Sequence, residues 1–112
     1  MQIDAITKEE LLSMYGNPDV IVLNVLPRDW FERAHILGSI SIPVEELAGR
    51  LDCLPSDKLI VTYCASYGCT SCVEAAQFLA SHGFNVKVYR GGTKEWMEAG
   101  LPWEGSERDH EP

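Results

Sequence analysis

A chain of 112 residues has room for one domain and one hydrophobic core. Seventeen acidic residues against nine basic ones leave a net charge of −8. That argues against nucleic acid and anionic membranes as partners, since both require cationic surface. No apolar run reaches the ~18–20 residues of a membrane span. No basic stretch followed by an apolar block opens the chain, so a cytoplasmic protein is expected.

Thr7 and Glu10 have the spacing of a capping box, and Ile6 with Leu11 that of a hydrophobic staple, so a first helix opens there. Gly16 is placed to stop it. Val20-Ile21-Val22-Leu23-Asn24-Val25 is nearly continuous in apolar residues and suits a parallel strand covered on both faces. Ser39-Ile40-Ser41-Ile42 alternates like a short strand, and Pro43 could start a helix through about Leu51. Leu59-Ile60-Val61-Thr62-Tyr63 is the next buried strand and runs directly into Cys64.

Ser71 and Glu74 have the spacing of a second capping box, and a helix is expected from there to Gly83. Val86-Lys87-Val88-Tyr89 reads as a strand. Gly91-Gly92 turns into a last helix bearing Trp96, ended by Gly100 and Pro102. This alternation of strands and helices with short links implies a doubly wound α/β sandwich. Residues 1–103 form the expected domain, and 104–112 a polar, disordered tail.

Three of the four cysteines, Cys64, Cys69 and Cys72, fall within nine residues, and Cys53 lies apart. Without an export signal, free thiols are expected. Cys64 sits where a strand gives way to a helix, the usual ligand position in open α/β sheets. Inward-pointing amides of Ala65-Ser66-Tyr67-Gly68-Cys69-Thr70-Ser71 could form an anion nest, backed by the helix dipole. Both would stabilise a thiolate and lower the pKa of Cys64. Small residues in the loop let backbone approach a ligand. Position alone also fits a small buried hydrophobe.

Val61-Thr62-Tyr63-Cys64, the loop, and Glu74-Ala75-Ala76-Gln77-Phe78-Leu79 with Gly83-Phe84 resemble the active-site segment of rhodanese-like domains. Val22-Leu23-Asn24-Val25 is similar to the preceding strand of that family. His35-Ile36-Leu37-Gly38-Ser39-Ile40 with Ile42-Pro43 is similar to its His-Ile-Pro-Gly-Ala motif. Tyr89-Arg90-Gly91-Gly92, Trp96 and Gly100-Leu101-Pro102 match its closing pattern. The resemblance runs from about Ile3 to Pro102 and rests on the joint order of these motifs.

The resemblance implies a three-layer sandwich, a small and mostly parallel sheet with helices on both faces. It implies a sulfurtransferase whose catalytic Cys64 carries a persulfide, cradled by the substrate-binding loop Ala65–Ser71. A small sulfur donor (thiosulfate or a low-molecular-weight persulfide) would load it in ping-pong fashion. A thiol acceptor, on a small molecule or a protein, would unload it. No metal and no organic cofactor are required, and a monomer or weak homodimer would suffice.

Three departures qualify this expectation. The loop has no arginine, the usual partner of an oxyanion, which favours thiol persulfides over thiosulfate as donor. It is longer than the common six-residue form, and Cys69, five residues after Cys64, resembles an extended-loop bacterial subgroup. The family's Asp-Val-Arg is Asn24-Val25-Leu26 here, a change of local packing.

Cys69 and Cys72 admit three readings. They are structural, or Cys69 is a resolving thiol for an oxidised or persulfidated Cys64, or both join Cys64 at zinc. Among competing functions, a cysteine phosphatase or arsenate reductase would need the missing arginine. A thioredoxin-like Cys69-x-x-Cys72 starts too far from the strand. A non-catalytic binding, redox-sensing or sulfur-sensing module remains the alternative. Among the other residues, Cys53 is expected to be bland, His35 a turn residue bonding backbone, and Trp96 part of the core. His82 closes a helix, and Tyr67 points outward at the loop apex as a gate or partner contact.

Overall fold

The computed structural model describes residues 3–107. Its main sheet has five strands in the order β1-β6-β5-β2-β4, every neighbouring pair parallel. These are β1 (Ala5–Ile6), β2 (Val20–Asn24), β4 (Ile40–Ser41), β5 (Leu59–Tyr63) and β6 (Asn85–Tyr89). The longest strands, β2, β5 and β6, occupy the middle, where burial on both faces rewards their continuous apolar runs. A second sheet pairs β3 (His35–Ile36) with β7 (Trp103–Glu104), antiparallel.

Alternation along β5 sorts the core into two layers. Ile60 and Cys64 belong to a cluster with Cys72, Ala75, Ala76 and Leu79 of α3 (Ser71–Ser81). Val61 and Tyr63 belong to the opposite cluster with Leu11 of α1 (Lys8–Met14) and Trp96 of α4 (Gly92–Glu98). Helices therefore cover both faces, as the three-layer expectation requires. No helix among the described residues is long and apolar enough to cross a membrane.

Local chemistry sets several boundaries. Both halves of the Thr7–Glu10 capping box form, with the Glu10 amide bonding Thr7 Oγ1 at 3.1 Å and the Thr7 amide bonding Glu10 Oε1 at 3.0 Å. The expected box at Ser71 and Glu74 does not form. Ser71 is already helical, Thr70 is the N-cap in αR conformation, and no side chain caps α3. The segment after Pro43 is 3₁₀ (Val44–Gly49, then Leu51–Cys53) and not α-helical. A helix absent from the sequence reading, α2 (Arg28–Arg33), buries none of its residues, so it has no apolar periodicity to announce it. Glu104, expected in a polar tail, instead pairs with His35 in β3. Residues 108–112 of that tail lie outside the described residues.

A closed circuit of hydroxyls fastens the chain beside the site. Ile36 N–H donates to Tyr63 Oη at 2.9 Å, and the Ser39 hydroxyl donates to the Ile36 carbonyl at 2.6 Å. The remaining contact, Tyr63 Oη to Ser39 Oγ at 2.7 Å, uses the tyrosine proton. Tyr63 is buried, so this circuit satisfies its hydroxyl without water.

Gly92 fastens the other side. Its φ is +68°, and a Cβ there would stand 2.5 Å from the Cys64 carbonyl oxygen. The close approach lets the next two amides donate to the loop: Thr93 N–H to Cys64 O and Lys94 N–H to Ala65 O, both at 2.9 Å. Gly92→Ala should therefore destabilise the fold by more than the ~1–2 kcal/mol of an L-residue in left-handed backbone. Gly83→Ala, at φ +88° with open space around it, should cost only that conformational amount. Urea unfolding of both variants checks the difference. Tyr63→Phe should cost about 1–3 kcal/mol by leaving Ile36 N–H and Ser39 without their partner.

Candidate active site

Cys64 follows the last residue of β5, the central strand of the sheet. Strand parity points it toward α3, and it is 1% exposed. Cys72 shares its core cluster and Cys69 packs against that cluster, so the three cysteines grouped in the sequence also come together in space. Cys72 is buried in the first turn of α3, and the Thr62 hydroxyl donates to its carbonyl at 2.8 Å. Cys69 is half-buried in the loop. All four cysteines are free thiols, and Cys53 is exposed, away from the cluster.

The expected lowering of the Cys64 pKa is overturned. Its thiol is pushed well above the ordinary range, first by the hydrogen bond with Cys72 and second by burial. The hydrogen bond with Cys69 works the other way but is weaker. Cys72 is lowered, chiefly by the same bond with Cys64 and against the effect of burial. Of the coupled pair, Cys72 is the thiol that ionises more readily. The helix dipole that was expected to favour a Cys64 thiolate favours its neighbour instead, because Cys72 is itself in the first helical turn.

The loop from Ala65 to Ser71 roofs this cluster. The Cys69 amide donates to Ser66 O at 3.1 Å, and the Thr70 carbonyl accepts from Val73 and Glu74 at 3.1 and 3.0 Å. Ser71 belongs to α3. Of the seven loop residues named from the sequence, Cys69 contacts the Cys64 thiol and Ala65 anchors α4. Tyr67 is 60% exposed at the apex, as expected. Its hydroxyl donates to Glu95 Oε2 at 3.1 Å, and the Tyr89 hydroxyl donates to Glu95 Oε1 at 2.7 Å. Glu95 thus ties the loop apex to the sheet. That contact with Glu95 raises the Tyr67 hydroxyl pKa, whereas Tyr89 is raised first by burial and then by Glu95.

Arg90 is the residue that sequence reasoning missed. It directly follows β6 and donates from Nη2 to the Tyr67 carbonyl at 3.2 Å. Its buried Nε has no hydrogen-bond partner among the described residues. Its charge adds to the lowering of Cys72. The loop lacks an arginine of its own, yet a guanidinium reaches it from the neighbouring strand. The signal lay in the motif Tyr89-Arg90-Gly91-Gly92, at the carboxyl end of a strand adjacent to that of Cys64.

Two concavities flank the loop. One, of about 350 Å³, is lined by Leu26, Trp30, Ala65, Thr93 and Met97, among others. The other, of about 310 Å³, is lined by Ser66, Tyr67, Gly68, Gly91, Lys94, Glu95 and Glu98. Among the described residues, no group of three His, Cys, Asp or Glu side chains is arranged to hold a metal ion. His35 bonds the Phe31 carbonyl through Nδ1 at 2.7 Å, and Trp96 is fully buried, both as expected. His82 caps α3 and contacts the Phe78 carbonyl at 2.9 Å. Asn24 accepts the Leu26 amide at 2.9 Å, a local turn contact.

Comparison with known proteins agrees with this architecture. The sequence profile of the rhodanese-like domain matches residues 7–99. The chain is 39% identical over 99 residues to the HTH-type transcriptional regulator Rv0324 of Mycobacterium tuberculosis, covering 88% of this chain but 44% of that protein. It thus spans under half the length of that relative. The crystal structure of BH2092 from Bacillus halodurans superposes with a TM-score of 0.85 at 28% identity, over 93% of this chain and 78% of that one. A thiosulfate sulfurtransferase from Pseudomonas aeruginosa superposes with a TM-score of 0.81 at 27% identity, over 95% of this chain and 20% of that one. With its central-strand cysteine, its roofing loop and a profile match across most of its length, the chain belongs to the rhodanese-like domain family.

Proposed function

We infer that this domain is a sulfurtransferase acting in the cytoplasm, moving sulfane sulfur from a small donor to a thiol acceptor through a Cys64 persulfide. The observation that carries the reading is the placement of the Cys64 thiol. It lies at the carboxyl end of the central strand, in contact with a second thiol of lowered pKa and under a loop held by a guanidinium. Four free thiols suit a reducing compartment.

The chemistry is a pair of displacements at sulfur. Cys64 passes its proton to Cys72 and attacks the outer sulfur of a donor R–S–SH. The donor's S–S bond breaks, R–S⁻ leaves, and Cys64–S–SH forms. With thiosulfate the leaving group is sulfite. An acceptor thiolate then attacks the outer sulfur of Cys64–S–SH and regenerates Cys64. Arg90 offers a charge-assisted hydrogen bond to an anionic donor or to the persulfide. Because Cys64 is buried at rest, the donor enters when the loop parts from α4. The Tyr67–Glu95 hydrogen bond is the contact that must yield.

A second reading, a non-catalytic or sulfur-sensing module, draws on the buried resting thiol and on the similarity to a transcriptional regulator. The two separate by intact mass. Incubated with thiosulfate or glutathione persulfide, the sulfurtransferase gains one sulfur atom, loses it to an added thiol, and turns over repeatedly; Cys64→Ser gains none. No adduct from either donor rules the transferase out. An adduct that added thiols leave in place favours the sensor.

Arg90→Met should lower kcat/KM for thiosulfate by about 10- to 100-fold, the equivalent of a charge-assisted hydrogen bond of roughly 1.5–3 kcal/mol. It should affect a neutral alkyl persulfide less. Equal losses with both donors would show that Arg90 shapes the loop and does not bind the anion.

A further inference from the structure

The transfer reading leaves one buried nucleophile with a larger part to play. Cys72 is fully buried in the same core cluster as Cys64, its thiol acts directly on that of Cys64, and its backbone is pinned under β5 by the Thr62 hydroxyl. Strand parity aims Cys64 at α3, and Cys72 is what it meets. Cys69 also touches Cys64 but rides on the loop that must part to admit a donor. Opening carries Cys69 away while Cys72, on the helix, stays. The resolving role that one of the three readings gave to Cys69 therefore fits Cys72 better.

We propose that Cys72 is a resolving thiol that discharges the Cys64 persulfide as sulfide when no acceptor arrives. This inference rests on the sulfurtransferase reading. The departing R–S⁻ takes the proton that Cys72 had received and leaves as R–SH, and the Cys72 thiolate attacks the inner sulfur of Cys64–S–SH. A Cys64–Cys72 disulfide forms, the Cys64–S–SH bond breaks, and HS⁻ leaves with the bonding pair. The outer sulfur is reduced to sulfide, and the two cysteines are oxidised. No external oxidant enters, because the donor's sulfane sulfur fills that role. Two equivalents of a low-molecular-weight thiol restore the site, leaving as their own disulfide. The domain then has two exits for one sulfur: transfer to a thiol, or release as sulfide at the expense of reductant.

The test uses the full chain, reduced, exposed to glutathione persulfide and freed of donor by rapid desalting. In the wild type, about one sulfide per loaded chain is expected, with loss of two hydrogen masses and a mapped Cys64–Cys72 disulfide. Cys72→Ala should keep the added sulfur and slow sulfide release by about tenfold or more per loaded chain. Cys69→Ser should still join Cys64 to Cys72 in the mapped disulfide. A map joining Cys64 to Cys69, or undiminished release from Cys72→Ala, overturns the inference. So does a wild type that keeps its added sulfur after desalting, although transfer then stands. Uptake of no sulfur by any of the three chains, with no sulfide formed, overturns the sulfurtransferase reading and this inference together. If Cys72→Ala fails to fold, the wild-type disulfide map decides alone.

Discussion

The contact between the start of α4 and the carbonyls of Cys64 and Ala65 is the constraint on which the site depends. Two amides at 2.9 Å fix the direction in which the chain leaves β5. That direction decides where the loop passes and therefore what it covers. The contact exists only because Gly92 has no side chain and adopts positive φ. Gly91 serves the neighbouring contact. A Cβ there would collide with Glu95 Oε1, so its absence makes room for the carboxylate that holds Tyr67 and Tyr89. The Gly-Gly pair is thus a docking surface between a helix and the active loop.

From that fixed exit, strand parity does the rest. Five residues of β5 alternate between two cores, and the next residue in phase with Ile60 and Thr62 is Cys64. Its thiol must enter the layer of α3. Cys72, in the first turn of that helix, is the group it meets. Two thiols in one buried space cannot both ionise cheaply. The hydrogen bond with Cys64 and, after it, Arg90 lower the Cys72 thiol, and the first turn of α3 favours an anion there. A buried nucleophile with a raised pKa and a built-in proton acceptor is the outcome.

Much of this was legible in the sequence, and the failures have physical causes. The parallel core strands announced themselves because burial on both faces demands unbroken apolar runs. The Thr7 cap was legible because its partner lies three residues away. Ser71 and Glu74 have the same spacing, yet the loop geometry starts α3 one residue early and leaves Ser71 inside it. Local pattern cannot see where a tertiary contact makes the helix begin. The Cys64 pKa was misjudged because the dipole argument considered one thiol alone. Arg90 was missed because its relation to the loop runs through strand order, which no local window contains. α2, β3 and β7 have two to six residues each and leave no periodic trace.

The charge around the site bears on which sulfur compounds the domain would handle. At physiological salt, fields are screened over about 8 Å, so the net charge of −8 matters less to a bound donor than its immediate neighbours do. Those neighbours are mixed. Arg90 and Lys94 stand on one side of the ledger, and Glu95 and Glu98, lining the same concavity as Lys94, on the other. A compact dianion such as thiosulfate would meet both signs of charge beside the loop. A persulfide carries a single charge and trails an organic group. The apolar concavity lined by Leu26, Trp30 and Met97 lies beside Ala65 and can receive such a group. On the proposed reading, the same geometry that closes the site to water thus favours donors that arrive as thiol persulfides.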